Sequence, residues 1–297
     1  MDIQQLRAFL TVAEEGRFGV AARRLSITQP ALSKQIQAME RRVGSRLVTR
    51  DRQGAAVTEA GRTLLPDARD LVARADALDT RIGEMHRGVL GRLSVGFGLS
   101  SIDTAPRAVA AYRRRYPDVR VTLDDMSSDV QLGRLRAGAL DVGFVREVGF
   151  VRETGDDALG WWEVGADRLA LAARADDEPP ADPHGLMLWA QAREWVALTR
   201  ERGPGLAEQI DRFRESAGFG RFRPAQVAND LQTVLALVAA GAGVALVPAS
   251  ARTVASSAVR LVPVHDEAAA WRIGVACRRD NVPAVVTNFV RVALAVA

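Results

Sequence analysis

Pro30, Ser33, Lys34, Gln37 and Arg41 recur at spacings that place them on one side of a helix, at about 100° of rotation per residue. One small hydroxyl, one amide and two cations share that side, with no carboxylate among them. Such groups donate to phosphate oxygens and base edges, so the face suits a nucleic-acid duplex. A solvated face on a helical bundle is the plainer reading of the same pattern. Thr28 stands where an N-cap belongs and Pro30 falls in the first turn, where no amide partner is needed. The opposite stripe, Leu32, Ile36, Met39 and Val43, is apolar and predicts a buried side.

A second set of polar residues lies far downstream. Ser100 and Ser101, then Ser127 and Ser128, follow short apolar runs that read as strands, and Arg146 follows a third. Thr199 and Arg200 follow a run further on. Hydroxyls and a guanidinium gathered at strand ends, beside free helix amides, would grip a small carboxylate. Each hydroxyl also reads as a simple N-cap, and each arginine as a solvated surface group.

Other chemistries find less support. His86, His184 and His265 are scattered and suggest neither a metal site nor a histidine-based triad. Gly241-Ala242-Gly243 lacks the context of a dinucleotide loop and predicts a tight turn. The single cysteine, Cys277, ends an apolar run and predicts a buried strand position. With no nucleophile beside a base and no phosphate loop, the sequence argues against an enzyme and calls for no cofactor.

The elements that must carry these residues follow from pattern and charge. Within 297 residues, positions 1–57 hold ten Lys and Arg against five Asp and Glu, whereas positions 58–297 hold thirty against thirty-one. The basic excess is confined to the first fifth, the electrostatic footprint of phosphate binding. Ile3, Leu6, Phe9, Leu10 and Ala13 predict a helix over residues 2–14. A second runs from Phe18 to Leu25, and the turn Ser26-Ile27-Thr28 separates it from a third over Gln29 to Val43, a helix-turn-helix. In that arrangement Gln29, Pro30 and Ser33 lie nearest the bases, with Lys34 and Gln37 extending the contact. Residues 46–50 and 55–58 predict a hairpin wing, with Arg50 and Arg52 at its tip against the sugar-phosphate backbone.

From Thr58 to Arg87, Leu64, Ala68, Leu71, Ala75, Leu78, Ile82 and Met85 alternate at spacings of four and three, the mark of a coiled-coil seam. The same helix of a second chain is the expected partner, with packing against its own domain as the alternative. Gly88 and Gly91 then end the helix and form a hinge.

Beyond Leu93, short apolar strands alternate with amphipathic helices, which predicts an α/β domain with mainly parallel sheets. The expected strands are Leu93 to Phe97, Val119 to Leu123, Leu140 to Val145, Asp167 to Ala173, Trp195 to Leu198, Val244 to Val247 and Trp271 to Cys277. Helices are expected up to Tyr116 and over Asp129 to Ala137, Leu206 to Ala217, Leu231 to Ala240 and Pro283 to Val296. Two such units side by side leave a cleft, and Trp161-Trp162 is expected to cover the crossing between them. No run reaches the roughly 18 apolar residues of a membrane span, and no leader precedes the first helix, so a cytoplasmic protein is expected.

The assembled pattern resembles the LysR-type transcriptional regulators. The resemblance is carried by Ala21-Ala22-Arg23-Arg24-Leu25-Ser26-Ile27-Thr28-Gln29-Pro30-Ala31-Leu32-Ser33-Lys34-Gln35-Ile36 and by Thr58-Glu59-Ala60-Gly61. Tyr116-Pro117, Leu140-Asp141-Val142-Gly143-Phe144 and Val238 to Val244 add to it. It implies a multidomain chain: a winged helix-turn-helix over 1–57, a dimerisation helix and hinge over 58–90, and an α/β effector domain over 91–297. That last domain would have the two lobes of a periplasmic binding protein, one of about 91–162 and 266–297, the other of about 163–265. The resemblance also implies homodimers pairing into tetramers. Residues 141–146 are similar to the branch that answers to aromatic breakdown intermediates, where the matching Arg146, Ser100 and Ser127 hold a carboxylate. The chain departs from the family at Arg17 and Gly19, where small hydroxyl residues are usual, and at Val48, where phenylalanine is common. A regulator acting on double-stranded DNA under a small-molecule effector is expected. A solute-binding module is the alternative, disfavoured by the basic first 57 residues.

Overall fold

The computed structural model describes residues 1–51, 54–147, 158–180, 182–220 and 222–296, without the side chains of Arg50 and Asp51. The chain divides into two compact units, Met1–Glu84 and Met85–Ala297.

In the first unit, α1 (Ile3–Glu15) begins where the Asp2 carboxylate accepts from the Gln5 amide and stops at Gly16, whose φ of 62° is left-handed. Helices α2 (Phe18–Arg24) and α3 (Gln29–Val43) follow across a turn that holds Ser26 at φ 55°. Leu6, Phe9 and Val12 of α1, Phe18 and Ala21 of α2, and Leu32, Ile36 and Met39 of α3 close one core. Val43 shares the apolar stripe but is exposed, because α3 ends at Gly44 before that turn reaches the core.

Strands β1 (Val48–Asp51) and β2 (Gly54–Val57) form the expected antiparallel hairpin. Glu40 of α3 accepts from the Leu47 and Val48 amides at 2.8 and 3.2 Å and so fastens the hairpin to the helix. Thr58 donates to the Arg46 carbonyl at 2.7 Å and accepts from the Gly61 amide at 3.0 Å. Thr58 thus caps α4 (Glu59–His86). Gly61 has a packing reason: a β-carbon there would sit 2.4 Å from the Leu47 carbonyl oxygen.

The seam expected along α4 divides in two. Ala68 is buried and Leu64 half-buried in the core of their own unit, beside Leu65 and Val72, and Arg7 of α1 pairs with Asp76. Leu71, Leu78, Ile82 and Met85 stand 45, 58, 41 and 58% exposed, and Ala75 is half-buried. Expecting Leu64 and Ala68 to pair between chains is therefore corrected: the early turns of α4 cover their own core, and the free stripe begins at Leu71.

The second unit has two sheets joined by one long strand. In the first, β3 (Gly91–Phe97) lies parallel to β4 (Val119–Asp125) and to β5 (Val142–Arg146). Strand β6 (Leu159–Arg174) pairs antiparallel with β11 (Ala270–Arg278) up to Arg168. From Leu169 onward β6 pairs antiparallel with β9 (Ala245–Pro248) and then β10 (Val259–Pro263) of the second sheet. Parallel strands β7 (Trp195–Leu198) and β8 (Pro224–Ala228) extend that sheet through a bridge from Trp195 to Val244. Helices α5 (Thr104–Arg115), α6 (Ser128–Arg136), α7 (Pro183–Gln191), α8 (Pro204–Ser216), α9 (Leu231–Ala239) and α10 (Ala284–Ala295) complete the unit.

Mainly parallel sheets were expected, yet β11 runs antiparallel to both β5 and β6, and β6 to β9 and β10. A parallel neighbour needs a crossover helix, whereas β6 and β11 enter their sheets directly from the other lobe. The crossing in β6 falls at Arg168 and Leu169 rather than near 162. Trp161 and Trp162 do not cover it; they pair with Ala276 and Val275 within the first sheet. Gly241, at φ 82°, makes the expected tight turn after α9, and Cys277 is buried in β11.

Candidate functional site

The first candidate surface is the outer side of α3. Thr28 accepts from the Ala31 amide at 3.3 Å, so the helix starts where the pattern put it and sets the phase of every later residue. Gln29, Pro30, Lys34, Gln37 and Arg41 are exposed and Ser33 is half-buried. Arg24, near the end of α2, is paired with Glu14 and Glu15 at 3.0 and 2.7 Å on the surface. Lys34 forms no ion pair with a carboxylate among the described residues. The Arg50 side chain and Arg52 lie outside the described residues.

The second candidate is a cavity between the two lobes of the second unit. The strand end at Arg146, the short turn Leu99–Ser101 and the start of α6 form one wall, and Arg202 to Arg212 around the start of α8 form the other. It holds about 60 Å³. Arg146 is almost fully buried, with its guanidinium carbon 3.9 Å from the centre of the Trp271 ring. Its Nε donates to Ser100 Oγ at 2.7 Å within the first lobe, and its Nη1 donates to the Gly205 carbonyl at 2.8 Å in the second. One side chain therefore bridges both lobes.

Burial pushes the Arg146 guanidinium down to about 10, with Asp167 and Glu208 drawing it back up, so it remains a cation at neutral pH. Asp167 accepts from the Arg168 amide at 2.8 Å and the Ser250 amide at 3.2 Å, yet burial still raises its carboxyl above the usual range. Asp125 is raised by burial too, against the pull of Arg202 at 3.6 Å. That last pair closes the cavity from opposite walls.

The serines divide by role. Ser100 and Ser128 touch Arg146 directly, since the Arg146 amide donates to Ser128 Oγ at 3.3 Å. Ser127 lines the cavity and caps α6 through the Val130 amide at 3.5 Å. Ser101 is fully buried, and its hydroxyl closes a turn on the Gly98 backbone at 3.1 and 3.2 Å. Thr199 and Arg200 do not line this cavity. Thr199 is bonded through its backbone to Ala228, and Arg200 pairs with Asp211 at 2.5 Å beside a separate hollow under Trp195 and Phe222. Arg202, Gly205, Gln209 and Arg212 stand where the sequence expectation had put Thr199 and Arg200. Their only local signal is Pro204, which opens a helix after the short loop that follows β7 and aims the α8 N-terminus at the cleft.

A helix-turn-helix with an outward polar helix, coupled in one chain to a two-lobed ligand fold, defines a ligand-responsive DNA-binding protein. Residues 3–62 match the bacterial regulatory helix-turn-helix protein, lysR family, and residues 86–297 match the LysR substrate binding domain. The chain belongs to the LysR family of bacterial transcriptional regulators.

An uncharacterized HTH-type transcriptional regulator of Escherichia coli, YnfL, is 33% identical over 270 residues, covering 90% of this chain and 89% of its own. TfdS of Cupriavidus pinatubonensis, another HTH-type transcriptional regulator, is 31% identical over 99% of this chain and 98% of its own. The crystal structure of CbnR, a LysR family transcriptional regulator, superposes with a TM-score of 0.78 at 27% identity, covering 99% of this chain and 100% of CbnR. Full-length CbnR complexed with its target DNA gives 0.77 at the same identity, covering 99% of this chain and 98% of that one. Among the described residues, no cluster of His, Cys, Asp and Glu could hold a metal ion, and no helix is long and apolar enough to cross a membrane.

Proposed function

We propose that this regulator reads duplex DNA with Gln29, Pro30, Ser33, Lys34 and Gln37, steadied by Arg50 and Arg52 of the wing, and that a small carboxylate in the Arg146 cavity controls it. The observation that carries the ligand assignment is the buried guanidinium that spans both lobes. A planar fork of five donors can hold its bonds to Ser100 and Gly205 and still meet a carboxylate. Ser100, Ser127 and Ser128 supply hydroxyls beside it, and Arg202 and Arg212 add positive charge from the other wall. At about 60 Å³ the cavity is smaller than the roughly 150 Å³ void that admits benzene. Parting the lobes, by loosening the contacts of Arg146 with Gly205 and of Arg202 with Asp125, would make room for an aromatic-derived acid. Differential affinity for two lobe arrangements is what lets a ligand act as a switch.

The exposed stripe Leu71, Leu78, Ile82 and Met85 supports a homodimer, and such dimers pair into tetramers as the family implies. Two recognition helices then meet half-sites on one duplex in the cytoplasm. Relatives such as YnfL and TfdS, both named as transcriptional regulators, support a binding protein rather than an enzyme.

The test is a thermal-shift and calorimetric screen of small aliphatic and aromatic carboxylates against the parent and Arg146→Met. Methionine keeps apolar packing on Trp271 while removing the charge. A carboxylate that stabilises the parent should lose about 2 kcal/mol of binding, roughly thirtyfold, in the variant. Equal binding by both proteins refutes Arg146 as the anion site.

A further inference from the structure

The 297 residues contain forty Lys and Arg together, and a single one of these is lysine, Lys34. The other members of that set are all arginines, whose guanidinium stays protonated and is a poor nucleophile under physiological conditions. The only side-chain amine in the sequence thus sits on the outer face of α3, exposed and without a carboxylate partner among the described residues. We infer that Lys34 is an acylation site at which transfer of an acetyl-type group to nitrogen releases the protein from DNA. This rests on the reading of α3 as the DNA-contacting helix.

The chemistry needs an activated acyl donor, an acyl phosphate or an acyl thioester. The deprotonated ε-amine attacks the donor carbonyl carbon, and the new C–N bond forms as the C–O or C–S bond breaks. Phosphate or thiolate leaves with the electron pair, and the amine proton passes to solvent. An ammonium becomes a neutral amide, so one cation and its phosphate attraction are lost where the helix faces the duplex. Arginine at this position would carry the same charge without offering that reaction. Selectivity follows from composition: a reagent that acylates any exposed amine has one side-chain target in this chain. Bound DNA covers that target, so acylation acts on the free regulator and is slowed on the complex.

The experiment treats the purified full-length protein with acetyl phosphate, maps acetylated peptides by mass spectrometry, and measures binding to duplex from the region upstream of its own gene. Acetyl-Lys34 is expected as the only side-chain amide formed, its yield falling when duplex is present during treatment. Affinity should fall about five- to a hundredfold as acetyl-Lys34 accumulates, the range for losing one DNA-contacting cation. Lys34→Arg is compared with itself before and after treatment; whatever its starting affinity, treatment should not change it. Acetylation confined to the α-amine, a fully acetyl-Lys34 protein that binds as the untreated one does, or an equal loss in treated Lys34→Arg would each overturn the inference. An untreated parent that fails to bind any duplex at low salt would instead refute the reading of α3 on which the inference stands.

Discussion

Arg146 shows how burial, rather than residue type, sets one side chain apart from its kind. The protein has many arginines on its surface, where pairs such as Arg174 with Asp176 are solvated and contribute little. Arg146 differs because Ser100, Gly205 and the Trp271 face leave it a cation inside the protein. Asp167 tests the electrostatics behind it. Its carboxyl is raised by burial in the folded state, so folding favours its protonated form. That contribution is fully present below the ordinary carboxylate range and is lost as pH rises through the raised value. The melting temperature of the second unit should therefore rise as pH falls from neutral toward the carboxylate range, and Asp167→Asn should flatten the rise. Identical pH slopes in the two proteins would remove Asp167 from the account. Gly61 offers a steric counterpart. Gly61→Ala drives a methyl against the Leu47 carbonyl and should cost the first unit about 1–3 kcal/mol, read by chemical denaturation.

At the scale of elements, α4 meets two environments on one heptad pattern. Its early apolar residues complete the core of the first unit and its later ones remain exposed. A single periodicity concealed this, because a stripe repeats identically whether its partner is another helix of the same chain or of a second chain. The two halves should respond differently to a charge. Leu78→Asp should shift the protein toward monomer in sedimentation while leaving the thermal unfolding of the first unit within about 0.5 kcal/mol. Ala68→Asp, at a site 2% exposed, should unfold that unit. Dimers that persist in Leu78→Asp would show that the exposed stripe is not the seam. The elements missed in sequence are instructive too. Helix α7 is apolar on nearly every side, with Leu186, Met187 and Ala190 buried, and so shows no helical alternation. Strand β8 is mostly exposed and starts at Pro224, a sheet-edge feature without an inward-facing pattern.

At the scale of the molecule, the protein keeps separate cores for its two tasks. Leu6, Phe9, Leu32 and Met39 belong to one, and Leu93, Phe144, Trp271 and Phe289 to another. Units with independent cores unfold as separate cooperative transitions. Calorimetry should resolve two, and a carboxylate that binds the Arg146 cavity should raise only the one belonging to Met85–Ala297. An equal shift of both would mean that the units fold as one body and that ligand energy reaches the DNA-binding unit directly.

The helix-turn-helix, its wing, the exposed face of α3 and most strands of the second unit were legible in order along the chain. Periodicity, caps and turn residues act within a few positions, so Thr28, Pro30, Gly16 and Gly44 report their own local geometry wherever the chain goes next. Tertiary structure alone decided which strands run antiparallel, where β6 crosses between lobes, and that Arg202, Gly205 and Arg212 rather than Thr199 and Arg200 meet Arg146. Those outcomes depend on residues dozens of positions apart arriving at one place. Burial, which turns an ordinary arginine into a buried cation bridging two lobes, exists only after they have arrived.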